Sequence, residues 1–255
     1  MDAIFSLMSP AVFALCLGIA LFAGVIKGLV GFAMPMILVS GLGSFVGPEL
    51  ALAGLILPTL LTNGWQALRQ GWRAAWDSVK RFQLFLMVGF VALIVSAQLV
   101  RIMPERLMLA LIGVPITAFA AMQLTGTPLR LPNASRKIEV AVATFAGFIG
   151  GFSGVWGPPT VAYLTALDTP KTDQIRIQGV IYGLGAVALL GAHIGSGVLR
   201  METLPLSVAL LVPAGIGMWI GLKLHDRVDQ ATFRTATLAV LFIAGLNLIR
   251  RAIMG

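Results

Sequence analysis

Charged side chains make up only 11% of this 255-residue chain, where soluble domains carry about 25%, and that shortage excludes a water-soluble globular fold. The single cysteine, Cys16, rules out an internal disulfide, and the lack of any CxxC pair removes thiol redox relays and thiolate metal sites. Carboxylates number ten and histidines two. The acids, among them Glu49, Glu105, Glu139 and Glu202, fall at the ends of apolar runs or between them, and no His/Asp/Glu spacing suited to a metal occurs. A catalytic centre needs clustered titratable groups. The chain is therefore not expected to be an enzyme, and neither a cofactor nor a metal ion is expected. No Lys or Arg precedes the first apolar run, so a cleavable signal peptide is not expected either.

What is abundant is apolar: 58% of the residues are hydrophobic and the mean hydropathy is +0.95. The run from Phe82 to Val100 carries no formal charge and as a helix would measure roughly 29 Å, close to a bilayer core of about 30 Å. These properties predict an all-α, polytopic membrane protein. The net charge of +8 does not point to nucleic acid, because the basic residues lie in short loops between apolar runs, where they set topology.

Glycine and proline carry the most specific signal. Residues 23–35, AGVIKGLVGFAMP, recur as residues 146–158, AGFIGGFSGVWGP, with six of thirteen positions identical. Each copy interrupts an overlong apolar stretch, Pro10 to Val46 and Ile138 to Leu167. Three further runs follow each: Pro48 to Leu68, Phe82 to Val100 and Leu107 to Leu124 in the first half, then Ile175 to Val198, Pro205 to Leu222 and Thr232 to Ile249 in the second. The predicted organisation is a first repeat over residues 1–124, a cytoplasmic linker over 125–137 containing Pro128 and Pro132, and a second repeat over 138–255.

Each interrupted stretch is either one long crossing or a hairpin. Hairpins sort twelve basic residues to one side and five to the other, whereas single crossings give ten against seven. The positive-inside rule selects the hairpins and places both termini outside. A hairpin plus three transmembrane helices makes an odd number of net crossings, so the second repeat is predicted to be inverted relative to the first. Paired Gly/Pro-broken segments in inverted halves are the sequence pointer to the binding site of a secondary transporter, which works by alternating access.

The Gly-rich copies, Ala23-Gly24-x-x-Lys27-Gly28-x-x-Gly31-Phe32 and Gly150-Gly151-x-x-Gly154-x-x-Gly157-Pro158-Pro159, together with Leu57-Pro58-x-x-x-x-Asn63 and Gly217-x-x-x-Gly221, resemble the TauE/SafE sulfite exporter family, also called the four-toluene sulfonate uptake permeases. The likeness covers almost the whole chain. It implies transport of sulfite, of an organosulfonate such as sulfoacetate, or of a related small anion across a bacterial inner membrane. Many members have glycine where this chain has Lys27.

The residues themselves also predict an anion site. A helix start offers unpaired N–H groups and a partial positive charge. Pro35 and Pro158, with Pro159, mark the returning helices and act as structural hinges, since proline suits the first helical turn. Gly28 to Met34 and Gly151 to Gly157 are expected to be partly unwound, lining a cavity. The predicted substrate-binding residues are Lys27, Gly28 and Gly31 in the first copy and Gly151, Ser153, Gly154, Trp156 and Thr160 in the second, with Asn63 and Gln178 on following spans. Lys27 reads as the counter-charge of an anion, as a lysine reaching out to the interface, or as half of an ion pair. Gln178 and Tyr182 share a helix face, and His193 offers a proton-coupling group, so protons or a co-transported ion are expected partners. Trp72, Trp76 and Val79 recur at helical spacing within the basic stretch Arg69 to Arg81 and predict an amphipathic helix anchored in membrane lipid. Two other classes stay open: an anion channel would use the same amides and lysine, and a membrane-embedded enzyme would need the clustered carboxylates that are missing.

Overall fold

The computed structural model describes residues 8–99, 104–126, 130–131, 135–153, 157–195 and 199–254. Among them the regular structure is entirely helical. The first half contains α1 (Pro10–Val30), α2 (Met34–Val46), α3 (Pro48–Leu68), α4 (Trp72–Arg81), α5 (Gln83–Leu99) and α6 (Glu105–Leu124); the second contains α7 (Arg136–Ser153), α8 (Gly157–Ala166), α9 (Lys171–Gly195), α10 (Leu204–Arg227) and α11 (Gln230–Met254). By length and apolarity α1, α10 and α11 are each able to cross a bilayer, and α4 with α5 forms a further apolar pair bent by 70°.

Both interrupted stretches fold back on themselves. Helix α1 is capped at its start by Ser9, whose hydroxyl accepts from the Val12 N–H at 3.4 Å, and ends at Gly31, where φ is +89° and the Gly31 N–H donates to the Lys27 carbonyl at 2.7 Å. That left-handed conformation is one glycine adopts without a Cβ penalty. The chain reverses through 31–33, so that a methyl group on Gly41 of α2 would meet the Ile19 side chain of α1 at 2.8 Å. In one straight helix those residues would stand roughly 33 Å apart. In the second stretch the Leu131 N–H, ahead of α7, donates to the carbonyl of Ala166 at the end of α8. The predicted unwinding from Gly28 is longer than the break observed, because residues 28–30 remain helical.

The helices sort into two packing units, each drawing on both sequence halves. One comprises residues 1–75 and 175–228, hence α1, α2, α3, most of α9 and all of α10; the other comprises 76–174 and 229–255, hence α5, α6, α7, α8 and α11. In the first, α1 packs along α10; in the second, α5 packs on α7 and α6 on α11. Water provides little drive for association between helices that lipid solvates equally well, so close backbone approach at small residues supplies the contact. A methyl group on Gly28 would stand 2.8 Å from the Gly221 Cα, and one on Gly147 would stand 2.7 Å from the Gly89 Cα. Gly24, Gly217 and Gly179 are closed off in the same way by neighbouring backbone, whereas Gly191 has nothing among the described residues within 4 Å of such a methyl.

Pro58 lies inside α3 and has no N–H to give to the Gly54 carbonyl. The Ser207 hydroxyl of α10 takes its place, donating to Gly54 O at 3.2 Å and accepting from the Leu57 N–H at 3.2 Å. A neighbouring helix thus satisfies the groups that the proline leaves over, which is how such breaks persist away from water. Arg69, following α3, adds two hydrogen bonds of 2.6 Å to the Asp226 carboxylate of α10.

The short helix α4 bears the exposed Trp72 and Trp76 beside Arg73, Lys80 and Arg81, as the tryptophan spacing predicts. In the second unit, Phe85 of α5 stacks on Tyr163 of α8 with ring centroids 5.9 Å apart. Asp229 starts α11, its carboxylate accepting from the Thr232 N–H at 2.7 Å, and the Thr232 amide and hydroxyl hold its pKa below the usual value. A carboxylate whose pKa falls on folding stabilises above its unfolded pKa, and the effect is lost as pH drops through the folded value. Asp229→Ala should therefore lower the thermal midpoint at pH 7 by about 2 °C, and the gap to the unmodified protein should narrow in detergent melts as the pH is lowered through the carboxylate's depressed pKa. A gap independent of pH would refute the capping role.

Candidate functional site

The last turn of α1 places the only formal charge of a buried polar cluster. Lys27 is 1% exposed, so it does not reach out to an interface, and its ammonium donates a short hydrogen bond to Asn63 Oδ1 on α3. Among the described residues it has no carboxylate partner. A cation is favoured at a helix C-terminus, where unpaired carbonyls concentrate negative potential. The local fold thus gives this lysine a place without neutralising it.

Those carbonyls are tied down by side chains from two other helices. Gln66 of α3 donates through Nε2 to Gly31 O at 3.1 Å and to Lys27 O at 3.5 Å. His225 of α10 places Nδ1 3.2 Å from Leu29 O; since a carbonyl only accepts, Nδ1 carries the proton. These caps explain why residues 28–30 stay helical. Asn63 and Gln66 lie three apart and share one face of α3.

Helix α9 closes the cluster. Gly179 lets it approach α3 so closely that a methyl there would meet Gln66 Cβ at 2.6 Å, and one on Gly183 would contact Asn63 Cβ at 3.7 Å. Beside Gly179, the fully buried Gln178 lays its carboxamide against Gly31, where a methyl would overlap Oε1 and stand 2.9 Å from Cδ. Among the described residues neither amide atom of Gln178 has a hydrogen-bond partner, and Gln66 Oε1 has none. Leaving a buried polar atom unpaired costs about 1–3 kcal/mol, so three in one cluster are a costly arrangement to keep for packing alone.

The structure therefore brings Lys27, Gly31, Asn63 and Gln178 together within one packing unit. Gly28, in the same turn, faces the backbone of α10. Pro35 stands in the first turn of α2, behind Ala33, whose φ of +74° is uncommon for a residue with a Cβ. In the other unit Gly151 and Ser153 fall in the last turn of α7, Pro158 and Pro159 in the first turn of α8, and Thr160 is buried beside them. Gly154 and Trp156 lie outside the described residues, as does the side chain of His193. Tyr182, one turn after Gln178, is buried.

Two members of the cluster were not expected. Gln66 carries a legible signal, a second carboxamide one turn beyond Asn63 in an apolar run. His225 sits within the charged end of α10, between Lys223 and Arg227, where a histidine reads as surface. Among the described residues no three His, Cys, Asp or Glu side chains gather as a metal site.

A family model described as sulfite exporter TauE/SafE matches residues 16–248. No curated protein and no solved structure gives a significant match.

Proposed function

The chain belongs to the sulfite exporter TauE/SafE family, a family of membrane transporters, and from that premise we propose that it is a secondary transporter of small sulfur-containing or organic anions, sulfite or an organosulfonate such as sulfoacetate. The observation that carries the proposal is the Lys27 ammonium, buried and bonded to the neutral Asn63 carboxamide. An intramembrane cation without an acidic partner is costly and marks a ligand pathway. An anion supplies the missing charge, and Gln66 and Gln178 supply unpaired amide groups beside it.

Alternating access by inverted repeats is part of the same proposal. Exchanging the two halves turns the α1–α10 pair into the α7–α5 pair and maps the α6–α11 pair onto itself. That pattern is what two related halves with swapped partners would give, and it supports an arrangement of two hairpins and six spans. In this reading the protein sits in a bacterial inner membrane with both termini outside, α4 rests on the lipid surface, and protons or another ion are coupled to transport.

Reconstituted vesicles test the carrier mechanism. Uptake of labelled sulfoacetate or sulfite should saturate with concentration, and preloading the vesicles with unlabelled anion should accelerate entry, since an occupied carrier exchanges faster than an empty one returns. Uptake that rises linearly with concentration, accompanied by large unitary currents, would instead establish a channel.

A further inference from the structure

Counting donors and acceptors in the cluster narrows the ligand beyond its charge, resting on the proposed anion site. Lys27 offers N–H donors and one positive charge. Gln178 offers an unpaired NH2 and an unpaired carbonyl oxygen, and this holds whichever way its amide is turned, because both ends lack partners among the described residues. Gln66 is different. Its Nε2 faces the carbonyls of Gly31 and Lys27, and a carbonyl cannot donate, so the open end of Gln66 must be its oxygen. The cluster therefore presents two unsatisfied acceptors as well as donors.

A fully deprotonated oxyanion such as sulfate has only acceptors. It would satisfy Lys27 and the Gln178 NH2 while leaving both carboxamide oxygens buried and unpaired, and its second negative charge would have no counterpart among Lys27, Asn63, Gln66 and Gln178. We propose that the site selects a monoanion bearing its own hydroxyl donor, of the hydroxyalkyl sulfonate type, with the anionic end at Lys27 and the hydroxyl at the carboxamide oxygens of Gln178 and Gln66. Gln178 is then a specificity-determining residue. It is placed there by Gly31 and Gly179, the two positions where a side chain would overlap the Gln178 amide or the Gln66 stem. Sites built to hydrogen-bond a hydroxyl discriminate against ligands that lack it, because the protein's own buried groups are left unpaired.

The test uses the purified full-length protein and two monoanions of similar size, 2-hydroxyethanesulfonate and propane-1-sulfonate, with sulfate as the dianion, read by titration calorimetry and thermal shift. The hydroxyl-bearing sulfonate should bind at least roughly tenfold tighter than its methyl counterpart, and sulfate should bind more weakly than either sulfonate. In Gln178→Met the preference should collapse to about twofold, chiefly through loss of hydroxysulfonate affinity. Equal affinities of the two sulfonates in the unmodified protein overturn the inference and leave the anion site standing. A preference that survives in folded Gln178→Met overturns the assignment to Gln178, and if that variant does not fold, the comparison in the unmodified protein decides alone. Failure of every sulfonate to bind overturns the anion site as well.

Discussion

Replacing Lys27 with methionine is expected to abolish anion transport while leaving a folded protein. Methionine has nearly the length of the lysine stem and no charge, so the space that α1, α3 and α9 enclose is kept and the counter-charge is removed. Truncating one partner of a desolvated charge pair typically costs about 2–5 kcal/mol, or roughly thirtyfold to several-thousandfold in affinity, and counterflow in vesicles should fall by a factor in that range. Asn63 Oδ1 loses its donor in this variant. Lys27→Met combined with Asn63→Leu restores the polar balance and should recover stability without recovering transport. Folded Lys27→Met with unchanged counterflow would refute the role of Lys27 and, with it, the principal support for an anion site.

Gly28→Val is expected to have the larger effect on the folded state itself. The atoms that a Cβ at this position would strike are the Met218 carbonyl, the Gly221 Cα and the Leu222 nitrogen, all backbone of α10. No rotamer change relieves the overlap, so α1 and α10 must separate along the principal helix contact of their unit. The cost should exceed about 3 kcal/mol, the upper end for overpacking where side chains can move aside, lowering the melting midpoint by roughly 10 °C. Gly18 provides the control. It lies on the same helix, yet among the described residues nothing stands within 4 Å of a methyl placed there, so Gly18→Val should be neutral or slightly stabilising, since glycine is a poor helix former. Equal folded yields of the two variants in fluorescence-detected size-exclusion chromatography would show that α1 and α10 do not pack as described.

Much of this was legible in the residues. The first copy of the repeated Gly/Pro peptide located its chain reversal, because the left-handed Gly31 ends α1 and Pro35 follows in the first turn of α2. Lys27, Asn63 and Gln178 stood out as polar residues in apolar runs, and burial has a price that makes such residues conspicuous. The extent of the break was not legible. Whether residues 28–30 stay helical depends on caps donated by Gln66 and His225, which lie far along the chain and announce no partnership with α1. Nor did the sequence show which helices would share a unit: periodicity identifies a helix and its small-residue face, but pairing α1 with α10 requires the backbone contact at Gly28 and Gly221 to be seen.

The Ser207 bridge across Pro58 has a thermodynamic consequence for binding. Its two bonds tie α3 to α10, and the glycine contacts tie α10 to α1, so α1, α3 and α10 form a rigid frame. Lys27 and Asn63 stand on two sides of that frame, and their separation is settled when the chain folds. In the proposed site an anion would meet a preorganised cation and order little of the protein around it, so less of the interaction would be offset by lost conformational entropy.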